Sequence, residues 1–481
     1  MGTSKKTVTL ENLAALGVEL LAEILVELAD DDAEVKRRLR LELAAQAGGD
    51  SIAAEVSKRI DALKSARFFV DWRKQRDFVR DLDLQRAMIV DRVAPARPDL
   101  ALDLIWRFLE LAEPVYNRVD DSNGAVGDVF RSACEDLGPV AVKAEPEPLA
   151  FADRVFAAVL ANDYGVYDGL VAITFQALGD AGVTHLKGRL AQVSADRKAG
   201  VRDGRADAAR RALLAIADGQ GDVDAFIALV PADERSLPHR TVEIGRRLLA
   251  ASRVSEALAA LETARPPRPR MAGPSGDDAF ILDRGDGNSA WENAYIDALD
   301  AAGQPERAQR LRWSIFERQL STELLRAYLK RLPDFEDIEA EDRAMQHAFG
   351  FGSFATALHF FSEWPDPIRA ARLVLTRTAE IDGDLYFLHE PAALLIEGKH
   401  PLAATLLRRA MIEDTLVRAK STRYKHAARH LLDCASLVRG IEGFGAFETH
   451  DDFVRRLRSE HGRKVGFWSQ LAELSENGGS R

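Results

Sequence analysis

Residues 99–119 read DLALDLIWRFLELAEPVYNRV, and their apolar residues recur every three or four positions. Because an α-helix turns once every ~3.6 residues, this spacing places them along one helical face. Pro98 suits the first turn of such a helix, whereas Pro114 predicts a bend near its end. The stretch therefore predicts a helix with one buried side, formed by Leu100, Leu104, Ile105, Phe108, Leu111, Ala112, Val115 and Val119.

The same periodicity extends along most of the chain, for example over residues 77–93. Alternation typical of a strand is confined to AFILD at 279–283. The composition agrees, since 47% of residues are hydrophobic but only 7% are aromatic, and Ala and Leu are frequent. Such side chains favour packed helices over a β-sandwich. We predict an all-α protein.

A short pattern recurs five times: a small residue is followed, five positions later, by Ala or Phe that opens another apolar run. Glycine accepts the left-handed conformation that ends a helix, and alanine lets the next helix approach closely. The pattern resembles the turn within tetratricopeptide repeats, although its spacing is mostly longer than their ~34 residues and nearer that of HEAT repeats. We predict α-helical hairpin repeats in a tetratricopeptide- or HEAT-like solenoid, with an irregular helical domain as the alternative, in particular for the N-terminal part. The five cases are GDVDAF (221–226), SRVSEA (252–257), GQPERA (303–308), GSFATA (352–357) and GKHPLA (398–403).

Proline-rich stretches predict the domain boundaries. KAEPEPL at 143–149 has two prolines, and ARPPRPRMAGPSGDD at 264–278 is dense in Pro, Gly and Arg. We predict four segments: an N-terminal helical domain at 1–145, middle helical repeats at 146–263, a linker or loop at 264–278, and C-terminal helical repeats at 279–481.

The charge and the cysteines restrict the class of function. A net charge of −11 opposes general coating of nucleic acid, which needs a basic surface. Cys134 and Cys434 are too few for a disulfide framework, which favours a reducing cytoplasm. Glutamates interrupt the apolar stripe of residues 10–28, and neither a secretory signal nor a membrane span tolerates them. We predict a soluble, cytoplasmic protein without a membrane partner.

RYKHAARHLLDC at 423–434 is the stretch that most resembles a chemical site, because His426, His430 and Cys434 are spaced at four residues. Neighbours at this spacing can share one metal ion, but all three ligands on one helix would reach it poorly. No HExxH or CxxC motif supports such a site. We predict packed helical histidines and neither catalytic residues, cofactor nor metal, with His426 and His430 as the weak metal candidates.

Residues 401–440 carry eight Lys or Arg against three acidic residues, a local charge of +5 in an acidic protein. This contrast is typical of a surface for an anionic partner or nucleic acid. Carboxylates of PDFEDIEAED at 333–342 are the alternative partners for these cations within the fold. The predicted partner-binding residues are Arg408, Arg409, Arg423, Lys425 and Arg429.

NRVDDSNGAVGD at 117–128 groups three aspartates, yet it fails the register of a calcium-binding EF-hand loop. We predict a turn between helices, with Asn123-Gly124 in left-handed geometry.

Long stretches at both ends, residues 9–44, 66–95, 399–434 and 461–468, resemble a largely proteobacterial domain-of-unknown-function family of helical proteins. RVDDSNGAVGDVF at 118–130 is also similar to the helical region beside SWIM zinc fingers. Those fingers need CxC and CxH pairs, and the two isolated cysteines here exclude the finger itself. The resemblance implies helical packing and no assigned activity.

The sequence thus favours a non-enzymatic helical-repeat scaffold for an unknown protein partner, because repeated hairpins present a continuous binding surface. Nucleic-acid association through residues 401–440 is the first alternative. A metal-dependent enzyme around His426 and His430 is the second.

Overall fold

The computed structural model describes residues 7–195, 204–263 and 287–478. Within these ranges the regular structure is helical, which confirms the all-α prediction, and one isolated bridge joins Val70 to Val119. The strand-like AFILD and the predicted linker at 264–278 lie outside the described residues. None of the described helices has both the length and the apolar character that crossing a bilayer requires.

The chain forms two compact units, Met1–Arg235 and Ser236–Arg481. The boundaries predicted at 145 and 263 stay predictions. The first unit contains helices α1 (Leu10–Ala14), α2 (Val18–Asp31), α3 (Ala33–Ala47), α4 (Gly49–Ser65), α5 (Trp72–Met88), α6 (Pro98–Leu109), α7 (Ala112–Tyr116), α8 (Ala125–Ala144), α9 (Pro148–Leu160), α10 (Leu170–Ala195), α11 (Gly204–Gly219) and α12 (Val223–Leu229), with a π-helical turn at Ile89–Val93.

The core of the first unit is a single apolar cluster that extends from Leu41 to Ile216. Its helices contact more than their sequence neighbours, since α5 packs against α8 and α4 against α7. Pro98 begins α6 as predicted. The break after α6 comes at Glu110, earlier than the bend predicted from Pro114, which lies within the short α7. Leu111 between the two helices is fully buried, so core packing fixes this corner.

The second unit is a succession of helices, α13 (Pro238–Ala250), α14 (Val254–Thr263), α15 (Gly287–Ala301), α16 (Pro305–Gln319), α17 (Thr322–Leu329), α18 (Glu336–Phe349), α19 (Phe354–Glu363), α20 (Pro367–Thr376), α21 (Tyr386–Ile396), α22 (Pro401–Val417), α23 (Tyr424–Leu437), α24 (His450–His461) and α25 (Val465–Gly478). The principal helix–helix contacts in this unit are between a helix and the next one or the next but one. Four of these helices begin at a proline, whose fixed φ and missing N–H suit a first turn.

The five repeated turns share one feature and differ in another. The residue at the sixth position is buried in all five, as the close approach of helices requires, namely Phe226, Ala257, Ala308, Ala357 and Ala403. Gly221, Gly303 and Ser252 adopt the predicted left-handed backbone, with φ of 64°, 67° and 60°. Gly352 and Gly398 do not, so that prediction was wrong for them. At these two turns the start of the next helix fixes the geometry, through the Ser353 cap and Pro401.

Candidate functional site: the polar cluster of α21, α22 and α23

The predicted site residues of 401–440 lie on α22, α23 and the turn between them. α22 is surrounded by α20, α21 and α23, so it buries polar as well as apolar side chains. We call the buried and half-buried polar residues where α21, α22 and α23 meet the polar cluster; they are His389, Glu390, Glu397, Thr405, Arg408, Arg409, His430, Asp433 and Cys434.

Arg408 lies at the centre of the polar cluster with only 1% of its surface exposed. Its Nη2 donates to Glu397 Oε2 at 2.5 Å, and its Nε lies 3.9 Å from Asp433 Oδ2. Nε and Nη1 make no hydrogen bond to any described residue. Burial raises the pKa of the Asp433 carboxyl, although the guanidinium opposes this shift. A buried cation with unsatisfied donors costs stability, which for Arg408 the hydrogen bond to Glu397 and the nearby Asp433 carboxylate offset.

Two histidines of the polar cluster are buried in their neutral form. His389 is completely buried, and neither ring nitrogen has a hydrogen-bond partner among the described residues. Burial lowers its pKa to about 4. His430 Nδ1 lies 3.4 Å from Glu390 Oε2, yet burial lowers the pKa of His430 to about 4 as well. Both rings are therefore uncharged near neutral pH.

Cys434 is a packed thiol. Its Sγ lies 3.9 Å from the Thr405 carbonyl oxygen, and burial raises its pKa to about 12. A nucleophilic cysteine needs a lowered pKa, so the environment of Cys434 works against covalent catalysis. With neutral, buried histidines beside a protonated thiol, the polar cluster has the chemistry of a packing element.

Arg409 is buried one position further along α22. Its Nη1 donates to the Glu448 carbonyl oxygen at 2.8 Å, and its guanidinium lies 4.5 Å from the centre of the Phe453 ring. Arg408 and Arg409 thus face the interior, and neither can reach a phosphate without rearrangement of α22. Of the predicted partner-binding residues, this leaves Arg423, Lys425 and Arg429 as the cations that a partner can contact.

Arg423 is partly engaged, because its Nη1 donates to Asp384 Oδ1 at 2.8 Å and its guanidinium lies over the Tyr386 ring. Lys425 and Arg429 are exposed on α23. The ion pairs of the basic segment involve Asp384, Glu397, Asp414 and Asp433, and Asp342 of the acidic stretch 333–342 pairs instead with Arg369. The basic surface proposed from sequence is therefore smaller than its composition implies.

The two weak metal candidates occupy different environments, since His426 is exposed and His430 mostly buried. In the ranges that the structure describes, His, Cys, Asp and Glu side chains nowhere form a group of three or more able to hold a metal ion. The two residues lie one turn apart on α23, and of the two His430 has the packed environment that the helical interpretation predicts.

Sequence reasoning missed His389, Glu390 and Glu397, which complete the polar cluster from α21. His389 follows Leu388 at an apolar position of a helix, and this was the available signal. Glu397 lies just after α21 and reaches Arg408 through tertiary packing, for which the local sequence gives no pattern.

The aspartate-rich loop before α8 is a helix cap. Gly124 is left-handed with φ of 72°, as predicted, whereas Asn123 does not adopt the left-handed backbone predicted for it. Asp121 accepts hydrogen bonds from the Val126 and Gly127 amides at 2.8 and 2.9 Å. A carboxylate at a helix N-terminus satisfies free amide groups and favours the helix dipole, so Asp121 stabilises the start of α8.

Comparison with known protein families identifies the family of this chain. The chain belongs to a family of unknown function (DUF6880), whose profile matches residues 3–470. No curated protein and no solved structure matches the chain.

Proposed function

We propose that this member of the family is a non-enzymatic scaffold whose second unit binds a protein partner through stacked helical hairpins. Packing of each helix on the next and next but one supports a solenoid of the tetratricopeptide or HEAT kind, because such arrays are built from nearest-neighbour contacts. The bacterial source and the likeness to helices beside SWIM fingers stay predictions from the sequence.

The observation that carries the proposal is an apolar stripe on the outer side of α21. Phe387 and Leu394 keep 51% and 55% of their surface exposed, and Pro391 and Leu395 are exposed beside them. The opposite side of α21 enters the core through Leu388, Ala392, Ala393 and Ile396. Large apolar side chains at helical spacing on an exposed face are typical of a surface that binds another helix.

The α21 stripe also has a polar feature that a partner can use. Pro391 has no N–H, so the Phe387 carbonyl oxygen loses the hydrogen bond that an α-helix normally gives it. Glu390 of α21 lies beside His430 of α23. Lys425 and Arg429 are exposed on α23. The partner that fits is an amphipathic segment with apolar anchors and acidic flanks.

Peptide display with the whole chain as bait tests this chemistry. We expect enrichment of helical peptides with apolar residues at i, i+3 or i+4, and i+7, flanked by Asp or Glu. Leu394→Asp should abolish their binding, whereas Ile338→Asp, which alters a comparably exposed residue of α18, should leave it intact. Enrichment of unrelated peptides, or equal binding by both variants, would contradict the proposal.

A second experiment locates the partner on the protein in its host cells. A photo-crosslinking phenylalanine at position 387 should capture a defined protein, and one at the exposed position 335 should not. Capture at both positions, or at 335 alone, would exclude the α21 stripe as the binding surface.

A further inference from the structure

The apolar residues of α1 and α2 remain largely exposed after folding. Leu20, Leu25 and Leu28 of α2 keep 44%, 40% and 51% of their surface exposed, although α2 packs against α3. Ala29 is the buried residue of α2 within the described side chains. On α1 no residue is buried, Leu10 and Leu13 are exposed, and Leu16, just after the helix, is exposed as well. Several large apolar side chains exposed on neighbouring helices of a folded protein are typical of an interface.

Unpaired charges flank this face. Glu19, Glu23 and Glu27 lie four residues apart along one edge of α2, and in the described part of the chain none of them forms an ion pair. The next helix, α3, presents an exposed Arg40 that likewise has no carboxylate partner among the described residues. One molecule therefore carries an unpaired acidic edge and an unpaired cation on adjacent helices.

We propose that the α1–α2 face binds the same face of a second copy of this chain. In a two-fold interface every contact occurs twice, so a surface must be complementary to itself. The acidic edge of α2 and Arg40 meet this requirement, because Glu23 and Glu27 of one copy lie opposite Arg40 of the other while the leucines pack between them. A stable dimer buries about 800 Å² on each partner, so α1, α2 and the outer edge of α3 all take part.

Light scattering and sedimentation of the purified full chain over a dilution series test the dimer. We expect a dimer for the wild type and a monomer for Leu20→Asp/Leu25→Asp, because the charges would be buried against apolar groups. Both leucines are largely exposed within one copy, so the variant should keep the helical content and melting temperature of a folded monomer. Ile338→Asp, in α18, is the matched control and should remain dimeric.

Charge reversal tests the arrangement itself. Glu23→Arg and Arg40→Glu should each weaken dimerisation about tenfold or more, and the double variant should regain most of the affinity. A monomeric wild type would overturn the proposal and indicate a different occupant of the face. A dimer unaffected by the leucine substitutions, or single reversals that the double variant does not rescue, would overturn it as well.

Discussion

The two units bury their apolar residues in different ways. In the first unit one cluster includes residues from α3 to α11, and helices distant in sequence contribute to it. In the second unit the described residues form three separate clusters that succeed one another along the chain. The difference follows from connectivity, because helices whose main contacts are with near neighbours in sequence cannot all share one centre.

Buried arginines mark the junctions between the clusters of the second unit. Arg312 of α16 lies between Ala308, in one cluster, and Phe316, in the next, and it binds Asp300. Arg408 and Arg409 of α22 lie between Leu407 and Ile412 in the same manner. A long aliphatic stem continues the packing while the guanidinium reaches a carboxylate or carbonyl, so a junction can be polar without a void.

The difference between the single core of the first unit and the separate clusters of the second is tested most directly by removing one large core side chain from each unit. Phe130→Ala in α8 and Phe453→Ala in α24 both empty fully buried positions, and each should cost about 4 kcal/mol. Hydrogen exchange should then increase throughout the first unit for Phe130→Ala, but only in α22–α25 for Phe453→Ala. Loss of protection from hydrogen exchange in α13–α15 of Phe453→Ala would show that the second unit has one cooperative core.

The next largest difference between the units should be in the pH dependence of their stability, because His389 and His430 belong to the second unit. Unfolded histidines bind protons near pH 6.5, whereas these two do so only at about 4 in the folded state. Their contribution to stability is therefore complete above pH 6.5 and is lost as the pH falls toward 4, by about 3 kcal/mol for each. Urea unfolding of the second unit measured across this range should show the slope, and His389→Leu should remove about half of it. An unchanged slope in His389→Leu would show that His389 does not cause this pH dependence.

The junction arginines can be tested by changing charge and volume separately. Arg408→Ala removes the stem and leaves Glu397 and Asp433 without their cation, so it should cost about 2 kcal/mol. Arg408→Met also removes the cation but keeps most of the volume, so it should cost about 1 kcal/mol less than Arg408→Ala. Arg429→Ala, on the exposed side of α23, should be neutral in the same urea titration. Equal losses for Ala and Met would show that the charge, and not the packing, joins the two clusters.

The smallest expected effect concerns the helix caps, which do not depend on core architecture. Asp121→Ala in the first unit and Asp366→Ala in the second each remove a side-chain acceptor for an amide at a helix start. In the second unit, Asp366 accepts the hydrogen bond of the Arg369 amide. Each should cost about 1 kcal/mol, and the Asn variants should retain most of that stability. Clearly unequal thermal shifts after allowance for the Asp366–Arg369 ion pair would show that the surrounding core modifies the caps.

The fold class was predictable because amphipathic spacing is a local property, as residues 99–119 and the buried sixth positions of the five turns show. The end of α6 was not predictable from the sequence, because the packing of Leu111 in the core ends the helix before Pro114 is reached. Pro98 marks the start of α6 as predicted, whereas Pro391 lies inside α21.

The candidate site was predictable only in its location. The sequence drew attention to α22 and α23 through charge and histidine spacing, but it assigned Arg408 and Arg409 to a surface. Which side of α22 is covered depends on α20 and α21, and no local pattern carries that information. The same holds for Glu397, whose contact with Arg408 exists only after α21 and α22 have packed.

The order of helices in the second unit has a consequence for biosynthesis. Because each helix finds its main partners among those just made, the unit can assemble progressively during translation, without waiting for its last residues. A ribosome that pauses within α19 would carry a chain whose earlier helices are already packed on one another, with only the helices that have just left the ribosome exposed to chaperones and proteases.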